Sequence, residues 1–156
     1  MKKIAILLVL SFSVAVLSAQ STAKPKAPVK QPVSEMKKLL SSTGLPFEMI
    51  NDSVSVIPYG GENIKSYQVL IQKVGDLYIV YTNLSEDLPG LIDDTKYKYL
   101  LQQNNNFDIV KIGLDADDNT VYLRADVYKS SLNTPMLKRI IEQVANVANI
   151  IGGDLK

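Results

Sequence analysis

The densest set of oxygen donors in the sequence is DADDNT, Asp115 to Thr120. Hard cations such as calcium take six to eight oxygen ligands, so aspartates packed this closely raise the prospect of a metal loop. Asp115, Asp117 and Asn119 match positions one, three and five of the EF-hand pattern, and Asp126 falls at position twelve. Position six, however, is Thr120, where that loop needs glycine for its turn. Asp126 is also shorter than the glutamate that closes the loop by bidentate contact. The context decides the matter. An EF-hand loop joins two helices, whereas VYLRADVY, 121–128, alternates with period two and has strand composition. A polar hairpin turn with Asp118-Asn119 at its tip is the expectation, since these residues tolerate positive φ. No metal site is expected.

Catalytic chemistry has little to work with. The sequence contains no histidine and no cysteine. Ser-His-Asp and Cys-His nucleophiles and the usual zinc sites are therefore excluded. Two carboxylate pairs remain, Asp93 with Asp94 and Asp115 with Asp117. A hydrolase could use such a pair, with Tyr97 and Tyr99 near the first as a sugar platform. Asp93 and Asp94 precede a helical stretch, however, and carboxylates there serve as caps and complement the helix dipole. No catalytic residue and no cofactor motif are expected.

Tyrosine is the richer resource, with eight copies and no tryptophan. On the 121–128 strand, Val121, Leu123, Ala125 and Val127 face one way; Tyr122, Arg124, Asp126 and Tyr128 face the other. An outward row of Tyr122, Arg124 and Tyr128 suits a protein interface, where tyrosine and arginine are enriched. Tyr78 and Tyr81 have opposite parity, so one of them should face outward too.

These residues need elements to hold them. Ser34 caps a first helix with Met36, Leu39 and Leu40 on one face and Gly44 as its stop. PFEMI and SVSVI flank Asn51-Asp52; SYQVLIQKV and LYIVYTNL flank Gly75-Asp76. Both pairs read as hairpins. A second helix follows Asp93-Asp94, with Ile92, Tyr97, Leu100, Leu101 and Asn104 as its buried stripe. The two strands around DADDNT come next. Thr134 caps a last helix with Pro135 at its first position. Its apolar stripe is Leu137, Ile140, Ile141, Val144, Val147 or Ala148, and Ile151, and Gly152-Gly153 should end it. The order is α-β-β-β-β-α-β-β-α. It predicts an α+β domain, an antiparallel sheet with helices packed mainly on one side.

The N-terminus carries an address. Lys2 and Lys3 precede the uncharged run Ile4 to Val16, and small residues follow at Ser18 and Ala19. This is the layout of a signal peptide, too short for a membrane span of ~20 apolar residues. Cleavage is expected after Ala19, or alternatively after Ala23. Residues 20–33 hold prolines at 25, 28 and 32 and lysines at 24, 26 and 30, the composition of a linker. Residues 34–156 form the single folded domain. The 17 basic residues fall to 15 once Lys2 and Lys3 are gone, against 16 acids. The near-neutral balance argues against a basic face for nucleic acid. Exported proteins often rely on disulfides, and this one, lacking cysteine, must rely on its core.

The C-terminal half, LLQQNNNFDIVKIGLDADDNTVYLRADVYKSSLNTPMLKRIIEQVANVANII, resembles the YbjN-like family, which shares the type III secretion chaperone-like fold. The shared pattern is a helix ending in leucine and asparagine, a strand, an acidic turn, a second strand and a capped apolar helix. The resemblance implies a non-enzymatic module that binds extended segments of other proteins, and it implies dimerisation. It brings no catalytic residues. Such chaperones work in the cytoplasm, whereas this chain carries an export signal. The expectation is an exported protein, periplasmic or secreted, that acts through protein–protein contacts or as a homodimer, with no membrane span after cleavage. The alternatives are a small-ligand or glycan sensor and, third, a carboxylate hydrolase.

Overall fold

A computed structural model describes residues 33–156. The signal segment, read at residues 1–19, and the linker, read at 20–33, lie outside the described residues except for Val33. Helix α1, Glu35–Thr43, starts where Ser34 Oγ accepts the Lys37 N–H and stops at Gly44, whose φ of 74° only glycine adopts freely. Two hairpins follow. Strand β1, Glu48–Asn51, pairs with β2, Val54–Tyr59; β3, Tyr67–Val74, pairs with β4, Leu77–Asn83. Asn51 turns the first by accepting the Ser53 N–H, and Gly75 at φ 53° turns the second.

A four-residue helix that period-based reading cannot resolve, α2 at Leu84–Asp87, leaves β4 under an Asn83 cap. Helix α3, Asp94–Gln102, is capped by Asp93. It buries only Leu100; Leu101 is exposed and Asn104 lies past the helix end, so the expected stripe is narrower than read. Strands β5, Lys111–Leu114, and β6, Val121–Tyr128, form the last hairpin. Their turn is DADDNT, with Asn119 left-handed at φ 60°.

Helix α4, Thr134–Asp154, differs from its sequence reading at both ends. Asn133 rather than Thr134 is the cap; its Oδ1 accepts the Met136 N–H. The helix also runs through Gly152-Gly153 instead of stopping there. A Cβ at Gly152 would collide with Ile64, and one at Gly153 with the Asn63 amide. These glycines are needed for close approach of the 60–66 loop, not for chain reversal. Asn149 Oδ1 accepts the Asn63 N–H at 2.9 Å and clasps that loop to the helix.

The six strands are all antiparallel in the order β1-β2-β3-β4-β6-β5. One face carries Ile57, Val69, Ile71, Tyr78, Val80, Leu123 and Ala125, and it is covered by α1 and α4. All the expected stripe residues of α4 are buried against it. Each fully buried leucine or isoleucine contributes on the order of 1.5–3 kcal/mol, so this layer is what stabilises a protein without disulfides. The α+β class, the antiparallel sheet and the one-sided helical layer agree with the sequence reading. No described helix is long and apolar enough to cross a membrane.

Candidate functional site

With its helices on one side, the sheet presents a second face made of the opposite-parity residues. Cross-strand register sets its rows. Val56, Leu70, Tyr81, Arg124 and Lys111 follow one another from β2 to β5; Val54, Gln72, Ile79 and Asp126 form the next row. Tyr122 stands beside Asn83 on one side and Gly113 on the other. Much of this face is apolar and only partly buried, and Tyr128, at 64% exposure, stands at its far end.

Two shallow grooves run across it. The first, about 310 Å³, lies between β4 and β6, walled by Ile79, Tyr81, Tyr122 and Arg124, with the amides of Gln72 and Asn83 in its lining. Asp115 and Thr120 close one end. The second, about 400 Å³, passes over β5 beside Lys111 and Gly113. Tyr122 and Arg124 form the ridge between them. Local chemistry fixes both. A Cβ on Gly113 would fall within the Tyr122 ring, so the bare glycine lets the ring lie over β5. Arg124 Nε and Nη2 donate to the two carboxylate oxygens of Asp126 at 2.6 and 2.9 Å, holding the guanidinium along the strand. That hydrogen bonding raises the Arg124 pKa further. Burial, with Glu86 adding to it, raises the Tyr81 phenol, which stays neutral.

Tyr122 and Arg124 thus come together as the sequence placed them, on the outward side of β6. Tyr128 shares their face but pairs with Leu77 at the opposite end, outside both grooves. Sequence reasoning missed the contribution of β3 and β4. The parity of Tyr81 was readable; its position directly across from Arg124 depends on β4 pairing with β6, which is a long-range fact.

Among the remaining candidates, Asp93, Asp115 and Asp118 make local structural hydrogen bonds. Asp115 Oδ1 accepts the Asp117 N–H and Asp118 Oδ1 accepts the Thr120 N–H, so the acidic stretch builds its own turn. Hydrogen bonds from Thr120 lower the Asp118 pKa. Asp93 accepts from the backbone and hydroxyl of Thr95, which lowers its pKa. Contrary to the sequence reading, which found no S-x-x-K at a helix start, Ser34 and Lys37 stand in that spacing at the start of α1, and their contact is the helix cap already described. No set of three acidic residues among the described residues is arranged to hold a metal ion.

No protein-family model and no curated protein matches the chain. Solved structures do, and they define a class: the sheet and helices have the YbjN-like, type III secretion chaperone-like fold. YbjN from E. coli aligns at a TM-score of 0.52 with 12% identity, over 75% of this chain and 85% of its own. The HopA1–SchA chaperone–effector complex aligns at 0.50 and 11%, over 71% and 84%. The heterodimeric ExoU–SpcU complex of the Pseudomonas aeruginosa type III secretion system aligns at 0.51 and 18%, over 76% and 94%. Likeness at these identities establishes shared architecture.

Proposed function

We propose that this protein is an exported, non-enzymatic, chaperone-like module that binds other proteins through the open face of its sheet. The observation that carries the reading is a sheet with one face under helices and the other left bare, aromatic and grooved. Tyrosine and arginine at the middle of such a face are the residue types that carry binding energy in protein interfaces. Solved structures of the same fold include a chaperone–effector complex and a heterodimeric complex, which supports a protein partner here. Of the carboxylates that could have done hydrolysis, Asp93 is engaged as a helix cap and Asp115 in forming its own turn. Export rests on the N-terminal sequence.

The test replaces Tyr122 with a photo-crosslinking residue in the native host and recovers the protein by a C-terminal tag. A stoichiometric adduct with a second protein, or with a second copy of this chain, is expected from the envelope fraction. Mass spectrometry of the recovered protein should find Gln20 or Lys24 as its first residue. With the photo-crosslinking residue moved to Ile79, which lines the same groove, Tyr122→Ser with Tyr128→Ser should leave the melting temperature within about 3 °C, as surface changes do, and abolish capture. A double variant that captures and elutes like the parent protein would show that the interface lies elsewhere.

A further inference from the structure

The first groove is polarised along its length. Its far end is the β5–β6 turn, where Asp115, Asp117 and Asp118 lie together, and α2 brings Glu86 close enough to act on Tyr81. The one cation in the lining, Arg124, is already matched by Asp126. The groove therefore offers an apolar, aromatic floor that ends in unneutralised negative charge.

A sheet face offers side chains rather than main chain. The β4 and β6 backbones are paired to β3, to β5 and to each other across this region. A segment lying on the face finds no ladder partners, so its own amides must keep water or meet Gln72 and the tyrosine hydroxyls. Polyproline II backbone suits that condition, because it is extended, makes no internal hydrogen bonds and stays solvated. Proline also removes one donor per residue and packs against aromatic grooves. Size points the same way. Six strands about 4.8 Å apart and roughly 13–26 Å long give a face of roughly 600 Å². That is less than the ~800 Å² per partner of a standard stable interface, though ample for one extended segment.

We propose that the groove between β4 and β6 takes an extended, proline-containing segment of a partner protein, with a lysine or arginine beside the prolines seated at the Asp115–Asp118 end. This rests on the protein-binding reading and narrows it to one ligand chemistry. The purified, isotope-labelled protein is titrated by NMR with a short synthetic proline/lysine peptide, with its glutamate-for-lysine counterpart and with its alanine-for-proline counterpart. The proline/lysine peptide should shift the amide signals of Tyr81, Asn83, Tyr122 and Asp115. The glutamate peptide should bind at least about tenfold more weakly, since like charges facing each other oppose binding. Asp115→Asn with Asp118→Asn keeps the turn acceptors and should weaken the lysine peptide several-fold while flattening its salt dependence. Equal binding of the lysine and glutamate peptides, equal binding of the alanine peptide, or shifts confined to the helical side would overturn the proposal. A Tyr122 adduct whose partner segment lacks proline and basic residues sinks this inference and leaves the protein-binding reading standing; no adduct and no peptide binding sinks both.

Discussion

A single hydroxyl shows how the residue scale sets behaviour with pH. Tyr59 stacks on Tyr67 with ring centroids 5.9 Å apart, and its buried hydroxyl finds no hydrogen-bond partner among the described residues. Burial first, then the nearby Glu142 charge, pushes its pKa up to about 12 from 10.0. A raised tyrosine pKa means that folding favours the neutral form. Its stabilising contribution is therefore complete below pH 10 and is lost as pH rises from 10 to 12. Tyr59→Phe should leave stability at pH 7 nearly unchanged and move the alkaline unfolding midpoint upward. Phenolate absorbance and circular dichroism followed together across that range would check both statements, and an unshifted midpoint would contradict them. Tyr67 is the useful contrast: its hydroxyl donates to the Ala145 carbonyl at 2.9 Å, so its loss costs a bond as well.

At the scale of elements, the outer edge of β5 is guarded. Asn104 Oδ1 accepts the Ile112 N–H at 2.6 Å, and Asn104 Nδ2 donates to the Ile112 carbonyl at 3.0 Å. One side chain thus imitates a neighbouring strand and occupies groups that would otherwise recruit one. Asn104→Ala should cost roughly 1–3 kcal/mol, because both backbone groups lose their partner. It should also promote self-association through the freed edge. Urea denaturation and light scattering of the variant check the two effects separately. Nothing in the sequence announced this role: Asn104 reads as the end of a helix's buried stripe, and its meaning comes from where β5 passes. By contrast, the caps at Ser34 and Asp93, the Gly75 turn and the Asp118-Asn119 turn were legible, because each is decided within a few residues. Gly152 and Gly153 misled for the complementary reason, since what forbids a side chain there is Ile64 and Asn63, far away in sequence.

For the whole molecule, class and element order could be read, and strand order could not. Period two and period 3.6 are local signals, whereas the insertion of β6 between β4 and β5 is fixed by tertiary packing. The candidate site shows the same division: the β6 row was readable, and the β3 and β4 residues that make it a groove were not. Helix α4 binds the architecture together, burying nine residues against α1, the sheet and the 60–66 loop. A chain ending at Asn133 would leave Ile57, Val69, Val80 and Leu123 without a cover. Calorimetry of that truncation should find no cooperative transition, with the dye binding of an exposed apolar surface in its place. A sharp transition would mean that the sheet stabilises itself.

The position of β6 has a consequence in time as well as in space. Its neighbour β4 is finished by Asn83, yet β6 begins only at Val121 and α4 closes at Asp154. At ribosomal speeds of ~5–20 residues per second, the β1–β4 meander waits on the order of 4–14 s for the last of its partners. During that interval one face of the meander lacks its α4 cover and the other is bare. Whatever meets the nascent chain in that interval meets an unfinished sheet, without the helix that completes its core.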